Sequence, residues 1–150
     1  MIEIERTDAS NPQFKALVKL LDAELAVRDG EDHSFYDQFN QLDTIKNVVL
    51  GYENGQAIAC GAIKKYDDQA MEVKRMYCLP STRGHGVATV LLEALETWAL
   101  ELGFSQCILE TGIKQPEAIR LYEKNGYHRI PNYGQYAGVE TSLCFDKQLS

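Results

Sequence analysis

The sequence predicts an α/β fold, a mixed α+β sheet of seven strands with about four helices, and three observations carry that expectation. Ile45 to Glu53 and Gln56 to Tyr66 flank Asn54-Gly55, the strongest short hairpin signal, and Asp67-Asp68-Gln69 turns the chain again into Ala70 to Leu79. These are three antiparallel strands in a row. Next, Val87, Leu91, Leu92, Leu95, Trp98 and Leu102 recur at helical spacing, from about Gly84 to a cap at Gly103. Last, Phe104 to Glu110 contains the unbroken apolar run Cys107-Ile108-Leu109, as expected of a strand buried on both faces in parallel pairing. Strand, helix and strand together make a right-handed parallel crossover.

The remaining elements follow in order. Ile2-Glu3-Ile4-Glu5 alternates as a strand does. Asn11-Pro12 starts a helix whose buried stripe is Phe14, Leu17, Val18, Leu21 and Leu25, with Gly30 as its expected cap. The segment from Glu31 to Asn40 mixes acids, His33 and three aromatics; it reads as a short helix from Ser34 to about Gln41, either a surface connection or a lid on a pocket. Pro116 opens a helix that runs to Asn125 and is capped by Gly126. Tyr127 to Ile130 and Val139 to Lys147 are the final strands, joined by a Gly-containing loop from Pro131 to Gly138. The order is β-α-α-β-β-β-α-β-α-β-β, without repeats or interdomain linkers, so residues 1–150 are expected to form one domain.

Composition narrows the function. A formal net charge of −7 argues against nucleic acid, which needs clustered Lys and Arg. No apolar run approaches the roughly 20 residues of a membrane span, and Met1 to Arg6 lacks a signal architecture, so the chain is expected to be cytoplasmic. Cys60, Cys78, Cys107 and Cys144 all sit in apolar, strand-like settings with no Cys-x-x-Cys pair. They read as buried reduced thiols rather than metal ligands or disulfides.

The central stretch is Met76-Tyr77-Cys78-Leu79-Pro80-Ser81-Thr82-Arg83-Gly84-His85-Gly86-Val87-Ala88-Thr89. A strand runs into a proline, then a glycine-containing loop, then the long helix. The first turn of a helix has amides without partners and a positive dipole end, so this is a place for an anion. Gly84 and Gly86 let a phosphate approach the main chain, and Arg83 offers a fork of donors. A Walker loop is excluded because no Lys follows Gly86, and a dinucleotide fingerprint because Thr89 stands where a third small residue belongs. Lys74, Arg75, Arg83 and His85, joined by Arg120 and Lys124, are expected to make the surroundings positive.

Arg83-x-x-Gly86-x-Ala88 after a strand ending in Pro80 resembles the Arg/Gln-x-x-Gly-x-Gly/Ala signature of the GNAT (GCN5-related N-acetyltransferase) superfamily. Ala118-x-x-Leu121-Tyr122-x-x-x-Gly126-Tyr127 resembles a second signature of that family, at the right distance downstream. The resemblance covers nearly the whole chain. It implies the GNAT fold and acetyl-CoA as cofactor, with the loop residues Arg83, Gly84, His85, Gly86, Val87, Ala88 and Thr89 on the pyrophosphate and Met76, Tyr77 and Cys78 along the pantetheine arm. It also implies Tyr122 near the departing thiolate.

Acetyl transfer to an amine sets further requirements. An alkylamine with pKa about 10.4 is almost wholly protonated at neutral pH, so a base or water chain must take a proton. Glu72, on the strand leading to the loop, is the first candidate and Glu110 the second, with His33 a distant third. An amide near Tyr77 or Cys78, exposed where this strand splays from the next, is expected to meet the thioester oxygen. Phenol is a weaker acid than a thiol, so Tyr122 is expected to stabilise the thiolate by a hydrogen bond. His33, Tyr36, Glu110, Tyr133 and Tyr136, with Gln135 beside them, are the candidate acceptor-binding residues. The expected activity is N-acetyl transfer to a small primary amine or amino-acid-like acceptor, with homodimerisation left open. The alternatives are a non-catalytic acyl-CoA sensor and a protein or peptide N-acetyltransferase.

Overall fold

The computed structural model describes residues 2–29 and 45–150. The Gly30 cap, the helix from Ser34 to Gln41, His33 and Tyr36 lie outside them. Seven strands form one sheet: β1 Glu3–Thr7, β2 Asn47–Glu53, β3 Gln56–Lys65, β4 Ala70–Cys78, β5 Gln106–Gly112, β6 His128–Ile130 and β7 Ser142–Gln148. Three α-helices stand among the described residues: α1 Pro12–Asp29, α2 Val87–Glu101 and α3 Pro116–Lys124. The sheet order is β1-β2-β3-β4-β5-β7-β6. Every pairing is antiparallel except β4 with β5, which is the expected crossover.

The two faces of the sheet carry different helices. Phe14, Leu17, Val18 and Leu21 of α1 pack on Val48, Leu50, Cys60, Ala62 and Tyr77. Leu91, Leu92, Leu95 and Ala99 of α2, with Tyr122 of α3, pack on the other face against Val49, Ile63, Val73, Leu109 and Phe145. Strand alternation explains the division: Val48 and Leu50 face α1 while Val49 faces α2. All four cysteines are buried and none is joined in a disulfide. No helix among the described residues is long and apolar enough to cross a membrane.

Two irregularities in β4 position the site. Pairing with β5 stops after Glu72↔Ile108, so the strands separate from Val73 onward. Pairing with β3 skips: Ala62 faces Lys74 while Cys60 faces Tyr77, so β4 carries one extra residue. Arg75 takes the strain of that bulge with φ of +60°, a conformation that costs a side-chain-bearing residue about 1–3 kcal/mol. Three contacts hold it there. Cys60 Sγ–H donates to the Arg75 carbonyl at 3.3 Å, Arg75 Nη2 donates to Asp22 at 2.8 Å, and Gly61 leaves room for Met76. A Cβ on Gly61 would sit 2.5 Å from the Met76 sulfur and 3.0 Å from Leu95, so Gly61→Ala must displace one of them.

Candidate active site

The loop between β4 and α2 is built as an anion cradle. A single 3₁₀ turn, Pro80–Thr82, carries the chain off the strand. Gly84 and Gly86 both have φ near +80° (+85° and +79°), and nothing lies within 4 Å of where a Cβ would be on either. Gly86 caps α2, and its carbonyl accepts the first helical bond, from Val90 N–H at 3.2 Å. Among the described residues, no amide from Gly84 to Thr89 donates to a backbone carbonyl. Unused donors, a helix dipole and open space above two glycines fit a diphosphate.

Below the loop, the gap between β4 and α3 forms a cleft of about 590 Å3. Met76, Tyr77 and Cys78 line one wall and Ala118, Leu121 and Tyr122 the other. Leu79 N–H donates to the Ile58 carbonyl of β3 at 2.9 Å. Alternation along the strand then turns the Cys78 N–H away from β3 and toward the gap. Burial pushes the Cys78 thiol up to about 11, so it stays protonated.

Charged side chains cross the mouth of this cleft in a chain. Arg83 donates to the Cys78 carbonyl at 3.1 Å and to Glu24 at 2.9 Å, with its guanidinium 5.4 Å above the Tyr77 ring. Glu24 lies 3.9 Å from Arg28, which makes a two-pronged bond to Glu117 at 2.7 and 3.3 Å. The Arg28 hydrogen bond holds the Glu117 carboxyl down at about 2. Arg120 and Lys124 also line the cleft.

A second cavity, of about 120 Å3, opens on the α1 face of the sheet where β4 and β5 part. Glu72, Lys74 and Arg75 come from β4, Glu110 from β5 and Tyr136 from the loop before β7. Glu72 is buried, and accepts a hydrogen bond from the Tyr133 hydroxyl at 2.7 Å; its other oxygen is 3.8 Å from Lys74. Burial, against the pull of Glu72, lowers the Lys74 ammonium from its ordinary value. Burial first, then Glu110, then Glu72, raise the Tyr136 hydroxyl. The two cavities share Leu21, Met76, Gln115, Ala118 and Tyr122. Tyr122 is buried at that junction, its ring edge-on to Tyr127. Burial, followed by Glu110 and Cys78, raises its hydroxyl well above the ordinary tyrosine range.

The structure thus gathers Glu72, Glu110, Tyr122, Tyr136 and Met76 into one site, with Tyr133 behind Glu72. Several sequence expectations are displaced. Lys74 and Arg75 do not surround the loop; Lys74 shares the face of Glu72 by strand alternation, the bulge brings Arg75 to that same face, and both line the second cavity. His85 is exposed and does not line the cleft beside Gly84 and Gly86. The Arg83 fork is engaged by Glu24 and Cys78 rather than open. The contributions of α1 (Leu21, Glu24, Arg28) and of Gln115 went unread, because nothing in an amphipathic stripe reveals which polar residue overlooks a cleft.

Comparison with known proteins agrees with this geometry. Residues 14–127 match the model of the Acetyltransferase (GNAT) family. The chain is 37% identical over 102 residues to an "IAA acetyltransferase" of Azospirillum brasilense, covering 67% of each protein. It is 30% identical over 132 residues to the uncharacterized N-acetyltransferase YjgM of Escherichia coli, covering 80% of this chain and 77% of that protein. A crystal structure assigned as an acyl-CoA N-acyltransferase, from Klebsiella pneumoniae, superposes with a TM-score of 0.84 at 29% identity, covering 100% of this chain and 99% of that one. With both signatures in place on a splayed β4–β5 pair, the chain belongs to the acetyltransferase (GNAT) family and is an acetyl-CoA-dependent N-acetyltransferase.

Proposed function

We propose that the protein acetylates the primary amine of a small molecule or amino-acid-like acceptor by direct attack of that amine on the thioester. One observation carries the reading: the cofactor cleft and the second cavity meet at Met76 and Tyr122, so an amine in one reaches a thioester in the other. Acetyl-CoA supplies the activated acyl group. The amides from Gly84 to Thr89 hold its diphosphate, and Met76 to Cys78 run beside its arm. The Cys78 N–H faces the carbonyl oxygen; one such donor is worth about 2.7–4 kcal/mol.

Glu110 and Glu72 take the first proton from the ammonium, directly or through water. The amine then forms the new C–N bond as the C–S bond breaks, and the second amine proton ends on the sulfur. Tyr122, kept protonated by its burial, donates a hydrogen bond to that sulfur as charge develops. The buried reduced cysteines suit a reducing compartment, and the reading places the enzyme in the cytoplasm.

Thiol release from acetyl-CoA against a panel of small amines tests this, run with the wild type and Tyr122→Phe. Turnover that falls in Tyr122→Phe is the expected result. Tight cofactor binding without turnover of any amine would instead identify a sensor.

A further inference from the structure

We propose that the acceptor is zwitterionic, an α-amino acid or close analogue, and that Arg75, seconded by Lys74, holds its carboxylate while its amine lies toward Glu110 and Tyr122. The inference rests on the acetyl-transfer reading above and adds what the acceptor must carry besides an amine.

The first support is the bulge. Consecutive residues of a regular strand point to opposite faces. Here Lys74 and Arg75 line one cavity together, and Arg75 holds φ of +60° to do so. Strain of that kind persists where the surroundings over-determine it, and it gathers at ligand-holding sites.

The second is an unanswered donor. The Arg75 side chain is only 3% exposed, its Nη2 is taken by Asp22 at 2.8 Å, and its Nε is buried without an acceptor among the described residues. Buried guanidinium donors are normally satisfied. Nε and Nη2 form the side-on edge of the fork, the shape that matches a carboxylate.

The third is the balance of charge. Glu72 and Glu110 share the cavity with Lys74 and Arg75. A simple alkylamine would leave Arg75 Nε unmet. A purely anionic ligand would meet two glutamates. A molecule with an ammonium and a carboxylate a few bonds apart answers both. The cavity, about 120 Å3 against roughly 300–1,000 Å3 for drug-sized pockets, favours a single small molecule.

The test is steady-state thiol release at saturating acetyl-CoA with the twenty standard amino acids, each beside its primary amide, which keeps the amine and side chain but removes the negative charge. At least one acid is expected to exceed its amide tenfold or more in kcat/KM, through KM. Arg75→Gln is expected to bring that ratio close to one, and Arg75→Lys to restore part of it. Amides used as well as acids by the wild type would overturn the proposal, and this arm needs no variant to fold. A ratio unchanged in a folded Arg75→Gln would do the same. If neither acids nor amides are turned over while an amine of the panel above is, this proposal fails and the acetyl-transfer reading stands; if no amine of either set is turned over while coenzyme A binds, the acetyl-transfer reading fails and takes this one with it.

Discussion

The cofactor cleft and the acceptor cavity adjoin at Tyr122 yet are made of different material. The cleft's grip on its ligand comes from main chain: glycine φ angles, helix-terminal amides and the unpaired edge of β4. The cavity is made of side chains delivered by five separate elements, with Leu21 from α1, Glu72 to Arg75 from β4, Glu110 from β5, Ala118 and Tyr122 from α3 and Tyr136 from the loop before β7. A main-chain site tolerates changes in most side chains and fails when the backbone path changes. A side-chain site does the reverse.

That contrast can be broken most severely at Gly86. Gly86→Val forces a β-branched residue to φ of +79°. Strain of about 1–3 kcal/mol predicts coenzyme A binding weaker by ~10–100-fold on calorimetry. The added side chain in the cradle pushes the loss to the upper end, and unchanged affinity would refute the cradle. Next come the two carboxylates. Glu110→Gln and Glu72→Gln are each expected to lower kcat and leave coenzyme A affinity alone, with a loss of about 10²-fold marking the principal base. Tyr122→Phe follows, with kcat down about tenfold, the worth of one hydrogen bond to a charged atom. Because burial raises the Tyr122 hydroxyl, the wild-type pH–rate profile should show no fall from tyrosine ionisation up to about pH 10.

Smaller effects sharpen the same comparison. Glu24→Gln removes the partner that holds Arg83 at 2.9 Å. Coenzyme A should then bind a few-fold more tightly at low salt, by calorimetry, with the gain shrinking as salt rises. Glu117→Gln tests the outer link of the chain. The Glu117 carboxyl is held at about 2 by Arg28, below its unfolded value. Its contribution is therefore complete above the ordinary carboxylate range and is lost as pH falls through about 2. With the Glu117 side chain 59% exposed, the contribution is about 0.2–1 kcal/mol at most. Denaturant melts of wild type and variant should differ by that much at pH 7 and converge in acid.

The same division explains what the sequence disclosed. Strand alternation, the Asn54-Gly55 hairpin and helical spacing are local patterns, and the elements they predict match the structure to within a few residues. The apolar pattern extends the last strand back to Val139, but Asn132 bonds the Val139 carbonyl and holds that stretch as loop, and the strand begins at Ser142. The phosphate loop was legible because glycine and proline announce backbone conformation. Arg75 was not, because nothing in Val73-Lys74-Arg75-Met76 marks a bulge, and without the bulge its side chain would have been assigned to the wrong face. Tyr133 is expected as a pocket residue from its loop, yet its hydroxyl donates to Glu72, a tertiary fact that no spacing encodes.

The extra residue in β4 has one more consequence. Met71 and Val73 lie in the α2 core, and so do Met76 and Cys78. The first pair is odd-numbered and the second even, so the strand changes phase between them. A strict two-residue repeat could send one pair into that core but never both. The half of β4 that anchors the sheet and the half that faces the cofactor are therefore joined by one residue out of phase, and deleting Lys74 or Arg75 would return both pairs to a single regular repeat while abolishing the bulge itself.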